Sequence, residues 1–481
     1  MPADPPGHLE YPVHEIQRAL FVQIDPAGIA GHIGKQDAGR ERAGTAGIPP
    51  GLVASSPHSG RHPWTPHEDH ELNTGIEAFV DCFDDVTISP PGWPAICSVV
   101  LPAQDTLQRW PGYPDAALPE SGRAANGRGW TAEACRQSGV GEAIELASLC
   151  AWGDEKIVDA TVADLPGRVL LPDAVNGFSA EQYRDREDWN DMLQGTDWIP
   201  PACEAERRIG WVEGADAGGD PVFLPADAVL IGRREAGDAD AVAIADSNGC
   251  AAGSTASSTR LAALLELIER DATGRWWYGG HGARSLPVEA SEFGERVSRH
   301  CARRGRRCRL FDITSDLVVP VVAALSQDED GRNLALGFAC RPDAETAVGD
   351  ALCELMQMEL LIEAARAGAP VRPGLASWLR EVGAETGLPA GHDPAGGRTG
   401  AAAIPDDPED ALDFLLSHCL SLGCDVVFFD HTRPEFAVPV WRAVAPGLCH
   451  WKPRLGRSRL GPGGGGGDAR RAPPWSTILR I

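Results

Sequence analysis

Three stretches of this chain, around residues 131–152, 255–278 and 344–367, bring an apolar residue back every third or fourth position. In the second stretch these are Leu261, Leu264, Leu265, Ile268 and Ala272; in the third, Ala347, Ala351, Leu352, Leu355, Met358 and Ile362. That rhythm predicts three long helices, each burying one stripe. Thr131, with Glu133 close behind, reads as the first N-cap, and the second helix begins near Thr255 or Ser257.

Strand-like runs lie between and after them, at 309–313, 318–325, 334–340, 425–429 and 438–444, with another at 19–24. Strands and helices mix without a strict βαβ rhythm. The expected fold class is therefore α/β of the mixed α+β kind, with mixed sheets packed by helices, rather than a doubly wound parallel sheet. Residues 35–75 read as loop, and 76–115 hold short apolar runs such as 96–101. The Gly-, Ala- and Pro-rich stretch 368–410 reads as an insertion or long loop, and five glycines at 463–467 open a basic tail. The expected organisation is a loop-rich N-terminal region at 1–79, one domain at 80–460 and a Gly-rich tail at 461–481.

The formal charge of −26 over 481 residues repels phosphate backbones, so no nucleic acid is expected as a partner. Any nucleotide site has to gather cations locally. Thirteen cysteines, with no CxxC pair, suggest reduced thiols in a cytoplasmic protein and argue against zinc. The N-terminus lacks the apolar core of a signal peptide, and the longest apolar runs, such as 317–325, are too short for a bilayer; no membrane association is expected.

Each helical stretch carries a polar pair at i, i+3: Glu142 and Glu145, Glu266 and Glu269, Glu354 and Gln357. That spacing places both members on one face. Ser138 precedes Glu142 by a turn, and Arg270 follows Glu266 by a turn. Such pairs ordinarily decorate a solvated face. Three of them, each on a helix with an apolar stripe, are less ordinary. If the faces converge, five carboxylates share one cleft, and like charges that close are held apart only by protonation or bound cations. Magnesium fits, because it takes oxygen ligands from carboxylates and phosphates together. The small-residue loop at 247–255 opens the second helix and offers free N–H groups to an anion. Trp276, Trp277 and Tyr278 read as packing, His431 and His450 as structural, and Cys250 as a small buried residue.

The run SNGCAAGSTASSTRLAALLELIERDATGRWWY at 247–278 resembles the signature of the YcaO family, closest to its azoline-forming cyclodehydratase (D-component) branch. Further stretches agree in order: GRGWT at 127–131, SGVGEAIE at 138–145, GDE at 153–155, QYRDREDWN at 182–190, DITSDLVVPVVAALS at 312–326, ELMQ at 354–357 and HTRPEFAVPVWR at 431–442. The resemblance spans about residues 80–460. It implies the YcaO fold and an ATP site built from carboxylates on helices. Ser138, Glu142 and Glu145 match the first nucleotide motif; Ser247, Asn248, Glu266, Glu269 and Arg270 the second; Glu354 and Gln357 the third. The five glutamates would hold Mg2+, and the others would contact ATP. The implied reaction is azoline formation at Cys, Ser or Thr of a ribosomal precursor peptide, by phosphorylation of the backbone amide oxygen. The implied partners are that precursor and a separate leader-peptide-binding protein, E1-like or a peptide clamp; a homodimer stays open. The family has arginine where this chain has Leu146 and Asp350, lysine where it has Arg128, and a proline-rich end where it has APPWSTILRI. Thioamide or amidine formation, and a decayed scaffold without catalysis, remain alternatives.

Overall fold

Antiparallel pairing builds nearly all of the sheet structure. The computed structural model describes residues 82–103, 125–193, 195–204, 206–369, 373–383, 402–461 and 478–479. The strand expected at 19–24, the loop at 35–75 and the glycine run at 463–467 lie outside them. The first sheet joins β1 (Phe83–Thr87), β2 (Ile96–Pro102) and β3 (Ala125–Gly129). Helix α1 (Ala132–Leu149) follows and packs on β3 and β2. A second sheet takes β4 (Val158–Ala160), β5 (Arg168–Val169), β6 (Ile209–Asp216), β7 (Pro221–Pro225) and β8 (Cys250–Ala252), and the chain then enters α2 (Ala256–Trp277). The third sheet holds β9 (Arg284–Leu286), β10 (Arg306–Asp312), β11 (Val321–Asp328) and β12 (Ala335–Cys340), with α3 (Glu292–Arg303) between its first two strands. Helices α4 (Ala344–Arg366), α5 (Pro373–Gly383) and α6 (Pro408–Ser421) come next. Strands β13 (Val427–Asp430) and β14 (Val440–Val444) then return to the second sheet, whose order is β5-β7-β6-β13-β14-β8 with β4 on β6. Among the described strands only β5 and β7 pair in parallel, and an isolated parallel bridge joins Cys150 to Ile231. The mixed α/β class expected from sequence is what the chain adopts.

The first two long helices start at the caps read from sequence, and the third is capped by Asp343. Thr131 accepts from Ala134 N at 3.1 Å, Thr255 forms a capping box with Ser258, and Asp343 accepts from Thr346 N at 2.7 Å. The first ends at Leu149 rather than Trp152. The stretch 368–410 is not one long loop: it contains α5, whose Trp378 is fully buried and donates to Leu334 O at 3.0 Å, and the start of α6. A short apolar stripe of Leu375, Trp378, Leu379 and Val382 packs α5 on the main core, and the Gly-, Ala- and Pro-rich composition around it hid that stripe. Likewise β8 lies inside the small-residue loop 247–255, because Ala251 and its neighbours pair with β14.

Helix α2 runs through the middle of the largest core, touching β14, β8, β12 and α6. Trp276, Trp277 and Tyr278 are buried there, as their packing reading required. Strands β11 and β12 are covered on both faces, so they read as continuous apolar runs rather than alternating ones. Two motif stretches prove to be braces. Arg433 binds Asp154 and Glu155, each at 2.7 Å, and lies 4.4 Å over the Trp152 ring. Gln182 is fully buried and donates to Pro453 O at 2.7 Å. All thirteen cysteines are free thiols, and among the described residues no helix is long and apolar enough to cross a membrane.

Helix α4 seats directly on β12. A Cβ added at Gly337 would lie 2.3 Å from both Ala351 O and Leu355 N, which are backbone atoms that cannot rotate aside. Gly337→Ala should therefore destabilise the protein by at least about 1–3 kcal/mol, seen as a lower midpoint in urea unfolding. An unchanged midpoint would show that the helix is free to lift.

Candidate nucleotide and magnesium site

The site is built on sheet edges. Strand β12 ends its sheet, and its N–H groups at 338 and 340 point away from β11. Glu354 of α4 accepts from Phe338 N at 3.0 Å, and Glu269 of α2 accepts from Cys340 N at 3.0 Å. Strand β8 ends the other large sheet, and Glu145 of α1 accepts from Ala252 N there. Three helices thus each place a carboxylate on an otherwise unpaired edge.

Their partners close the cluster. Arg270 bridges Glu266, at 3.2 Å, and Glu269. Arg128, on β3, donates to Gln357 Oε1 at 3.3 Å and lies 4.0 Å from Glu354. Burial works against its charge, yet Glu354, then Glu142 and Glu269, hold the Arg128 guanidinium protonated above its ordinary value. Carboxylates from all three helices therefore face one region, as the sequence pattern required if the stripes were to meet. Ser138 and Ser247 are exposed at its margin, while Glu142, Glu145, Glu266, Glu354 and Gln357 are half-buried.

The charge is not balanced by the protein alone. Burial, reinforced by Glu266 and Glu142, pushes the Glu145 carboxyl well above the usual range. Burial also raises Glu269 and pushes Glu266 up to about 7, against the pull of Arg270. Among the described residues no three His, Cys, Asp or Glu side chains form a closed metal cage. Glu266, Glu269 and Glu354 instead face backbone N–H groups and guanidiniums. The donor set nevertheless fits Mg2+: hard oxygens only, in excess of local cations, with carboxyls whose ionisation a divalent ion would favour.

The Ser247–Asn248 turn is fixed from behind. Arg442 donates to Asp246 O at 2.6 Å and Asn248 O at 3.3 Å, and Lys452 binds Asp246 at 2.6 Å. Lys452, His450 and Arg454 overcome burial and hold Asp246 ionised, well below its ordinary value. His450 is buried and pushed down to about 4, so it is neutral and structural. A cavity of about 60 Å³ with mixed polar and apolar walls, among them Asp246, Asn248, Arg442 and Leu267, adjoins the turn. Cys250 is buried and its thiol pushed up, again by burial, which makes it inert.

A family model described as YcaO cyclodehydratase, ATP- and Mg2+-binding, matches residues 126–449. The chain belongs to the YcaO family. The match is shorter at both ends than the 80–460 read from sequence, and the domain it identifies binds ATP and Mg2+. An uncharacterised protein encoded in the tfuA 3′ region of Rhizobium leguminosarum bv. trifolii is 30% identical over 168 residues, which are 32% of this chain and 40% of that one. A heterocyclase solved in complex with substrate and cofactor superposes with a TM-score of 0.65 at 22% identity, over 82% of this chain and 54% of its own. YcaO from Methanopyrus kandleri bound with AMPPCP and Mg2+ superposes with a TM-score of 0.51 at 23% identity, over 78% of this chain and 88% of its own. The chain thus spans less than half of that relative and about half of that heterocyclase.

Both departures from the family's arginines have structural counterparts. Leu146 is a buried member of the core cluster around Val140, Ile144 and Phe436, so no cation projects from it. Asp350 does not add a bare negative charge, because Arg341 binds it at 2.7 Å. Sequence reasoning missed Arg341, Arg442 and Asp246 as members of the site's surroundings. Each lies in a strand or loop, where no helical spacing marks it.

A carboxyl raised in the folded state favours folding below its unfolded value, near 4.5, and that contribution is lost as pH climbs through about 7 for Glu266. Glu266→Gln removes this slope. In metal-free buffer the Tm difference, variant minus wild type, should shrink as pH falls from about 8 to about 6. A pH-independent difference would contradict the raised carboxyl.

Proposed function

We propose that this YcaO protein is an ATP- and Mg2+-dependent cyclodehydratase that forms thiazoline or oxazoline rings at Cys, Ser or Thr of a ribosomal precursor peptide, with residues 80–460 as its working unit. The observation that carries the reading is the meeting of Glu142, Glu145, Glu266, Glu269 and Glu354, from three helices, around sheet-edge N–H groups. The family model supports the nucleotide and metal, and the superposed heterocyclase supports the ring-forming class.

The five glutamates would hold Mg2+. Ser138, Ser247, Asn248, Arg270 and Gln357 would contact the nucleotide. When bound there, Mg2+ would neutralise phosphate charge. The backbone anchors of Glu145, Glu269 and Glu354 fix those carboxylates before any ligand arrives, so little reorganisation is needed as the phosphoryl group moves. In the reaction the thiol or hydroxyl adds to the preceding carbonyl carbon and gives up its proton. The oxygen so formed takes the terminal phosphoryl group of ATP, and ADP leaves. The amide nitrogen then loses its proton, the C=N bond forms and the C–O bond breaks, releasing phosphate. The sum removes one water from the peptide for each ATP converted to ADP and phosphate. Activation is needed because hydroxide leaves poorly and phosphate leaves well. The precursor would be presented by a leader-binding partner protein.

Reconstitution with precursor and partner should give peptide lighter by one water per ring, with ATP consumed in step. Glu145→Gln and Glu354→Gln should each lower turnover by about 100-fold. ATP turnover without any dehydrated peptide would instead favour another nucleophile at the same site. The buried Leu146, which withholds a cation, favours a second reading as a non-catalytic scaffold. Mg2+ and ATP together should raise Tm if the enzyme reading holds; no rise would leave the scaffold.

A further inference from the structure

A triphosphate entering this site meets five carboxylates, and the protein cations nearest to it are mostly spoken for. Arg270 lies between Glu266 and Glu269 with only 17% of its side chain exposed. Arg128 lies against Glu354 and Gln357. Both neutralise the site's own acids. Arg341 differs. It directly follows Cys340, whose N–H holds Glu269, so its backbone is fixed at the end of β12 beside the cluster. Its side chain is 42% exposed. It binds Asp350, at 2.7 Å, and its neighbour's carbonyl, Cys340 O, at 2.8 Å.

Asp350 is placed to aim this arginine. It lies four residues before Glu354 on α4, hence on the same stripe and about 6 Å away along the axis. The salt bridge therefore holds Arg341 at the end of the stripe that carries Glu354 and Gln357. A lone exposed pair of this kind contributes little to stability, so its placement has more bearing on what enters the site than on the fold. The Arg341 charge also favours ionised Glu269, which places it within electrostatic reach of the cluster.

We propose that Arg341 is the phosphate-facing cation of this nucleotide site and that Asp350 is its positioning residue. The inference rests on the nucleotide reading above. A planar guanidinium pinned on one edge by a carboxylate keeps its other N–H groups for phosphate oxygens. Asp350 then fixes the direction of the side chain and limits the entropy lost on binding.

Affinity for AMPPCP with Mg2+, measured by calorimetry, tests this without turnover, and adenosine serves as the phosphate-free probe. Arg341→Ala should weaken AMPPCP binding by about 10-fold or more and leave adenosine unchanged. Asp350→Ala should weaken it less, and the double variant should be no weaker than Arg341→Ala alone, because Asp350 acts through Arg341. The exchange of both, Arg341→Asp with Asp350→Arg, should recover part of the loss by presenting a guanidinium from the helix. All four exchanges are at half-exposed positions, and equal Tm values would show that folding is intact. Unchanged AMPPCP affinity in Arg341→Ala, or additive losses in the double variant, would overturn the inference while the nucleotide reading stands. Failure of the wild type to bind AMPPCP would overturn both.

Discussion

The structure depends on a simple exchange: sheet-edge N–H groups that have no strand beside them are satisfied by glutamates from helices. Phe338 and Cys340 on β12, and Ala252 on β8, each give a backbone donor to a different helix. An exposed edge is a liability in most sheets. Here it becomes the platform on which three helices bring their acids together, because a carboxylate that accepts a backbone N–H cannot swing out to solvent. The close seating of α4 on β12, with Gly337 against its backbone, fixes the distance at which this happens.

That arrangement sets stability against function. Gathering carboxylates in a half-buried cleft raises the Glu145, Glu266 and Glu269 carboxyls, chiefly through burial. The protein offsets part of the repulsion with Arg128, Arg270, Arg341 and Arg442 and leaves the rest. An acidic cleft that the fold does not fully neutralise is a site with a built-in preference for divalent cations. This explains how a chain with a net charge of −26 can belong to a family that binds an anionic nucleotide.

Much of this was legible in the sequence. The three helices and their polar pairs at i, i+3 followed from apolar spacing, and the caps Thr131 and Thr255 from residue type; that α2 and α4 are buried on nearly every side, rather than along one stripe, did not. The long signature at 247–278 named the family before the fold was known. What stayed hidden has physical causes. Helix α5 is short, and its apolar spacing at Leu375, Trp378, Leu379 and Val382 was masked by the Gly-, Ala- and Pro-rich stretch around it. Strand β8 is three residues of small side chains that only its partner β14 defines. Arg341, just past the end of β12, and Arg442, in the middle of β14, matter through contacts with other elements, which leave no periodic trace. Asp350 looked like a lost cation because the residue that neutralises it comes from another element.

The account turns on the five glutamates sharing one metal–nucleotide site, and a crystal soaked with Mn2+ and AMPPCP tests this most directly. Manganese takes the same oxygen donors as magnesium and reveals itself by anomalous scattering. The account predicts anomalous peaks within coordination distance of carboxylates among Glu142, Glu145, Glu266, Glu269 and Glu354, with the phosphates beside them. Peaks confined to other parts of the surface, with nucleotide absent from the cleft, would contradict it.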